Sequence, residues 1–256
     1  MKPEKALTDL SGKVVTITGG SRGIGKELAL AFSRCGANVV IASRKKENCE
    51  ALAQHINETF GTEALPVSCH VGQWDQCEEL FSTVYSHFGK CDVLINNAGM
   101  SPLYKSLTEL SQELFDKVLN VNLRGPFRLS ALFGQQMVND EKGSIINMSS
   151  IAAAQPSPYE VPYGAAKAGL HSLTKSFSKA FAPHVRVNCI MPGPFLTDIS
   201  DAWSEATLES LQNLPLGRGG KPDEIVGAAL YFASEASSFT TGAVLKIDGG
   251  AIASTS

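Results

Sequence analysis

A doubly wound α/β fold, with a seven-stranded parallel sheet flanked by helices, is the architecture this sequence predicts. Three observations carry it. Short apolar, β-branched runs recur without polar alternation, as strands buried on both faces require. Longer helical patterns separate them, matching the right-handed crossovers that parallel strands need. A glycine-rich turn, Thr18-Gly19-Gly20-Ser21-Arg22-Gly23-Ile24-Gly25, lies directly between the first strand and the first helix.

The strand pattern starts at Val14–Thr18, and a helical pattern follows from Ile24 to about Cys35. Asn38–Ala42 is the second strand, with a polar helix from about Lys45 to Thr59. Ala64–Cys69 is the third, followed by a helix over Asp75–Phe88. Asp92–Asn96 is the fourth, and one long helical stretch covers Gln112–Met137. Ser144–Met148 is the fifth, ahead of a helix over Tyr163–Phe181. Val185–Ile190 and Ala243–Ile247 complete the set. More than fifty residues separate the last two strands. They begin with Pro192-Gly193-Pro194 and carry two helical segments, so a substrate-loop insertion is expected at about 192–220. Such sheets build ligand sites at the C-terminal ends of their strands. No linker or repeat interrupts residues 1–256, which predicts one domain.

Composition narrows the function. The chain has 256 residues, 43% hydrophobic and 18% charged, with a net charge of −3. No basic field is available to draw in nucleic acid or an anionic membrane. No apolar run approaches the roughly 20 residues of a membrane span. Met1-Lys2-Pro3-Glu4-Lys5 has no apolar segment behind it, and Ala253-Ser254-Thr255-Ser256 matches no targeting signal. The six cysteines form no C-x-x-C pair and the five histidines show no ligand spacing. A cytoplasmic protein with reduced thiols and no metal is expected.

The glycine turn suits a pyrophosphate, because glycines let the backbone approach it and the helix N-terminus favours its charge. Its spacing is Gly-x-x-x-Gly-x-Gly, wider at the front than G-x-G-x-x-G. At the end of the second strand, an acidic residue would bind the ribose 2′-hydroxyl of NAD. Ser43-Arg44-Lys45-Lys46 stands there instead. Arg44 and Arg22 could clamp a 2′-phosphate, so the expected cofactor is NADP(H). The same residues would also suit a solvated basic face.

Tyr163 and Lys167 lie four residues apart, on one face of a helix. An ammonium beside a phenol favours the phenolate and lowers a pKa that is ordinarily about 10. That shift would bring Tyr163 toward the range useful for proton transfer.

Together these motifs resemble the short-chain dehydrogenase/reductase family, of the compact type of about 250 residues, over nearly the whole chain. The resemblance runs through Thr18–Gly25, Asn96-Asn97-Ala98-Gly99, Asn122 in Asn120-Val121-Asn122-Leu123-Arg124-Gly125, and Ser150. Tyr163 and Lys167, Pro192-Gly193 and the closing Asp248-Gly249-Gly250 follow in order. It implies a Rossmann-like domain in which Tyr163 is the general acid/base and Lys167 tunes it and holds the nicotinamide ribose. It also implies that Ser150 binds the substrate oxygen and that Asn122 supports a water between Lys167 and solvent. Cofactor contacts are implied for Gly19, Ser21, Arg22, Gly23, Ile24, Ser43, Arg44, Val71, Asn97, Ala98, Gly99, Tyr163, Lys167, Pro192, Gly193 and Thr197. Ile190 is a second candidate for the carboxamide. His70 is assigned to adenine; it stands where the family usually has an Asp, and simple packing of the imidazole is equally open. Ser149 is expected to be a loop hydroxyl, and Asn97 to bond backbone. The family also implies a homotetramer.

Substrate walls are expected from Met100, Leu103, Phe195, Leu196, Ile199 and Trp203, mostly apolar, with Gln155 as a polar exception. They favour a small-molecule ketone or alcohol. A 3-oxoacyl-thioester reductase is the alternative, with Lys105, Arg124 and Arg128 as a thin basic patch for an acidic carrier. A catalytically idle nucleotide-binding scaffold is a third reading, opposed by the complete Ser150, Tyr163 and Lys167 set.

Overall fold

A computed structural model of the chain describes residues 9–198, 200 and 203–252. Seven strands form one parallel sheet: β1 (Val14–Thr18), β2 (Asn38–Ser43), β3 (Ala64–Ser68), β4 (Val93–Asn96), β5 (Gly143–Met148), β6 (Val185–Pro192) and β7 (Val244–Ile247). Their spatial order is β3-β2-β1-β4-β5-β6-β7. The chain runs outward from β1 to β3, then crosses back to β4. β1 and β4 are therefore neighbours whose following segments leave in opposite directions. A crevice opens above such a switch point.

Helices α1 (Gly23–Arg34), α2 (Lys46–Phe60) and α8 (Val226–Ala233) cover one face. Helices α3 (Trp74–Phe88), α5 (Gly125–Asn139) and α6 (Val161–Ala180) cover the other. Successive strand residues alternate between the two layers. Val15, Ile17, Val39 and Ile41 pack under Leu28, Phe32 and Ile56. Val14, Val40 and Leu94 pack under Leu80, Leu129 and Phe133. Both faces are covered by helices, which is why the strands are predominantly apolar and do not alternate with exposed polar residues. Each fully buried Leu or Phe contributes about 1.5–3 kcal/mol.

The long helical stretch predicted over Gln112–Met137 is interrupted. Helix α4 (Gln112–Leu119) passes into a π turn over Asn120–Arg124 before α5 begins. The Gly125 amide donates to the Asn120 carbonyl, five residues back. Pro126 has no N–H to continue the α ladder. The Asn122 side chain donates instead to the Val118 carbonyl at 2.9 Å. A Cβ at Gly125 would run into the Val71 carbonyl, so only glycine lets the turn lie this close to the sheet. Apolar periodicity does not register one extra residue in a turn.

Beyond β6 the chain forms the short α7 (Glu205–Ser210), several 3₁₀ turns and α8 before returning as β7. A bridge between Phe195 and Gly220 ties the start of this insertion to its far end.

Candidate active site

The C-terminal ends of the strands enclose a cleft of about 500 Å³. The cleft is built on the junction of β1 and β4. Thr18 Oγ1 accepts from the amides of Asn97 (3.0 Å) and Ala98 (3.1 Å). Asn97 Nδ2 donates to the carbonyls of Thr18 (2.9 Å) and Gly19 (3.2 Å). Asn97 therefore bonds backbone, as expected. The glycine loop is pressed against this joint. A Cβ on Gly19, which has φ +63°, would meet Ala98 Cα at 2.9 Å; one on Gly25 would strike the Gly19 carbonyl. The turn thus leaves no room for a side chain at Gly19 or Gly25, and its amides head α1.

Nearly all the predicted cofactor residues line this cleft: Gly19, Arg22, Gly23, Ile24, Ser43, Arg44, His70, Val71, Asn97, Ala98, Gly99, Pro192, Gly193 and Thr197. Ser150, Tyr163 and Lys167 line it too. Ser21 faces an adjoining shallow groove instead. Ile190 is wholly buried in the core, because it points from the sheet face and not from the end of β6. Gly193 is fixed by its amide, which donates to Ile247 at 2.9 Å, and its Cα lies too close to Asp248 to carry a side chain. Asp248 in turn accepts from the amides of Gly250 and Ile252 at 3.0 and 2.9 Å. The closing Asp-Gly-Gly motif is a brace for the cleft wall.

The expected double-arginine clamp is altered. Arg22 forms an ion pair with Asp198, from the insertion. Arg44 is exposed and makes no ion pair among the described residues. Asp198 was not legible as a site residue, because no spacing links it to Arg22 in sequence. His70 is half-buried, and its Nδ1 accepts from the Gly72 amide at 3.0 Å. One ring nitrogen is thus used within its own loop.

At the other end, Ser150 opens a 3₁₀ turn and its Oγ accepts from the Ala152 amide at 3.2 Å. Ser150 is the polar side chain beside Tyr163 that favours its phenolate. Lys167 is only 3% exposed, and its Nζ donates to the Met148 carbonyl at 2.8 Å. That nitrogen sits 5.6 Å from the centre of the Tyr163 ring. Ser149 is buried and donates to the Lys167 carbonyl, a structural hydroxyl as expected.

The electrostatics correct the sequence expectation. Burial pushes the Tyr163 phenol up to about 12; the Ser150 hydrogen bond opposes this and the Glu160 charge adds to it. Burial pulls Lys167 down to about 8. In this geometry desolvation outweighs any help from the ammonium, which is engaged with Met148. Asn122 does not line the cleft. Its amide is held by Met100, accepting from its N–H at 3.2 Å and donating to its carbonyl at 2.8 Å.

Met100, Leu103, Phe195 and Trp203 form the expected apolar wall. Leu196 lines the shallow groove, and Ile199 lies outside the described residues. Glu160, which no motif marked, also lines the cleft; Gln155 does not. Arg124 and Arg128 lie over the Trp74 ring, and Arg128 pairs with Glu78. Both are occupied away from the mouth. Among the described residues, no cluster of His, Cys, Asp and Glu could hold a metal and no helix is long and apolar enough to cross a membrane.

Comparison with known proteins agrees with this layout. A family profile described as enoyl-(acyl carrier protein) reductase matches residues 19–251. The chain is 37% identical over 245 residues to a 3-oxoacyl-(acyl-carrier-protein) reductase, FabG, of Thermotoga maritima, covering 95% of this chain and 99% of the relative. A short-chain dehydrogenase/reductase structure from Mycobacterium marinum superposes with a TM-score of 0.91 at 34% identity, covering 97% and 98% of the two chains. L-sorbose reductase from Gluconobacter frateurii, solved with NADPH and L-sorbose, gives 0.91 at 28% identity, covering 97% and 100%. The chain belongs to the short-chain dehydrogenase/reductase family of oxidoreductases.

Proposed function

We propose that this protein is an NADP(H)-dependent oxidoreductase that interconverts a ketone or aldehyde with an alcohol. One observation carries the reading: Ser150, Tyr163 and buried Lys167 line one cleft, with the Lys167 ammonium 5.6 Å from the Tyr163 ring, and that cleft begins at the glycine loop. The crowded backbone at Gly19 and Gly25 fits a diphosphate, and Arg44 with Ser43 fits a 2′-phosphate. When bound, a nicotinamide cofactor supplies or accepts the hydride.

The residues of this chain manage the proton and the oxygen. Tyr163 donates its phenolic proton to the substrate oxygen in reduction and withdraws it in oxidation. Ser150 donates a second hydrogen bond to that oxygen as charge develops on it. Lys167 holds a buried positive charge that stabilises the phenolate left behind. Asn122 acts at one remove, by fixing Met100 and the π turn.

The absence of a carboxylate at the end of β2 supports NADP(H) over NAD(H). The free thiols among the described residues fit a cytoplasmic protein, and the family resemblance supports a homotetramer. On α6, Ala165 and Ala168 are exposed and available to a neighbour, whereas Ala166 and Leu170 are spent in the core of the chain.

Incubation with NADPH and a ketone panel tests the reading. Tyr163→Phe is expected to lower turnover by about 10²–10⁴-fold while NADPH affinity stays close to wild type. Unchanged turnover in that variant overturns it. The similarity to FabG favours a second reading, reduction of a 3-oxoacyl thioester. A carrier-linked 3-oxoacyl substrate preferred over every free ketone would establish that alternative.

A further inference from the structure

The substrate end of the cleft contains a charge that the chemistry above does not use. Glu160 caps α6 and lines the cleft with Ser150 and Tyr163. Its position is well fixed. The Glu160 carbonyl accepts from the Gly164 amide at 2.9 Å, and the preceding segment is pinned by Tyr104. The Tyr104 hydroxyl donates to the Pro158 carbonyl at 2.8 Å and accepts from the Val161 amide at 3.0 Å. Carboxylate Oε2 accepts from Ser101 Oγ at 3.3 Å. No Lys, Arg or His pairs with Glu160 among the described residues.

The other charges on the cleft are accounted for. Arg22 and Asp198 neutralise each other, Lys167 is held against Met148, and Arg44 stands just past the end of β2. Glu160 is left as an uncompensated carboxylate on a cleft that Met100, Leu103 and Trp203 also line. Burial accordingly pushes its pKa up. A neutral apolar ketone would worsen that desolvation. A cation would repay it, and a cleft that carries both a carboxylate and an aromatic side chain is a favourable surround for an ammonium group.

We infer that Glu160 is a specificity-determining residue that selects carbonyl substrates bearing a positively charged amine on the side of the molecule away from the reacting carbon. The inference deepens the carbonyl-reduction reading and rests on it. Glu160 makes the contact with the substrate cation, while Ser101 orients the carboxylate.

A matched pair of ketones isolates the charge: 1,1-dimethyl-4-oxopiperidinium, which is permanently cationic, and 4,4-dimethylcyclohexanone, its neutral isostere. Their dissociation constants are measured by ligand-observed NMR on the protein saturated with NADP⁺, which cannot reduce them. The wild-type protein is expected to prefer the cation by about 10-fold, the range of a partly buried charge-assisted contact. Glu160→Gln should bring the ratio to about one and leave the neutral ketone's affinity within about twofold, while Glu160→Asp keeps part of the preference. Equal affinities in the wild type, or a preference untouched by Glu160→Gln, overturn the inference. Turnover with NADPH is read separately. Preference without reduction of either ketone would count against the carbonyl reading alone, and reduction without preference against Glu160 alone.

Discussion

Lys167 lies 5.6 Å from the centre of the Tyr163 ring, yet it directs its hydrogen bond to the Met148 carbonyl at 2.8 Å. The two residues are adjacent on one helix face but are each governed by burial. The phenol is pushed up to about 12 and the ammonium down to about 8.

Lys167 should leave a signature in stability against pH. Its pKa in the folded chain is about 8, below the ordinary 10.5. Between those values the unfolded chain holds a proton that the folded chain has lost, so stability rises with pH. Across pH 8 to 10.5 the wild type should gain about 3 kcal/mol relative to Lys167→Met. Chemical denaturation of both proteins across that window checks the difference; parallel curves would refute it.

Asp198 competes with any phosphate for Arg22. Asp198→Asn should tighten NADPH binding by about fivefold at low salt, the scale of an exposed ion pair. NADH should change less. Fluorescence titration of both cofactors measures this, and equal changes for the two would remove Arg22 from the phosphate site.

Asn122→Leu should destabilise the fold. It strips donors from the carbonyls of Val118 and Met100, and each buried group left unpaired costs about 1–3 kcal/mol. A lower urea midpoint with an unchanged slope is the expected result. A midpoint equal to wild type would show that the π turn holds without its side-chain cap.

Gly25→Ala places a methyl group against the Gly19 carbonyl and within 2.7 Å of Asn97 Nδ2. Overpacking of this kind costs about 1–3 kcal/mol, and here it also displaces the loop. NADPH affinity should fall by at least tenfold in calorimetry, whereas Gly61→Ala, at an open helix end, should leave it intact.

Much of the site was legible because its residues sit at strand ends and helix starts, where sequence marks position. The run Thr18–Gly25 can only be a tight strand-to-helix turn, and Ser150, Tyr163 and Lys167 follow strand five at spacings that hold within one loop and one helix. Asp198 and Glu160 were missed for the opposite reason. Asp198 reaches Arg22 across 176 positions of chain, and Glu160 lines the cleft beside a segment that Tyr104, more than fifty positions earlier, holds by hydrogen bonds to Pro158 and Val161. The interruption at Asn120–Arg124 was hidden too, since a π turn preserves apolar character while changing which carbonyl each amide meets.

The sequence by itself determined the order of strands and helices, the glycine turn and which side chains are proposed to handle the proton. Local steric rules and burial on both sheet faces leave few other solutions for such a pattern. Only the tertiary structure decided how those side chains are charged and paired. Desolvation depends on what surrounds a group from every direction, and a sequence lists neighbours along one line alone. That is why Tyr163 could be proposed from the family resemblance that its spacing to Lys167 helps to carry, while the direction of its pKa shift could not.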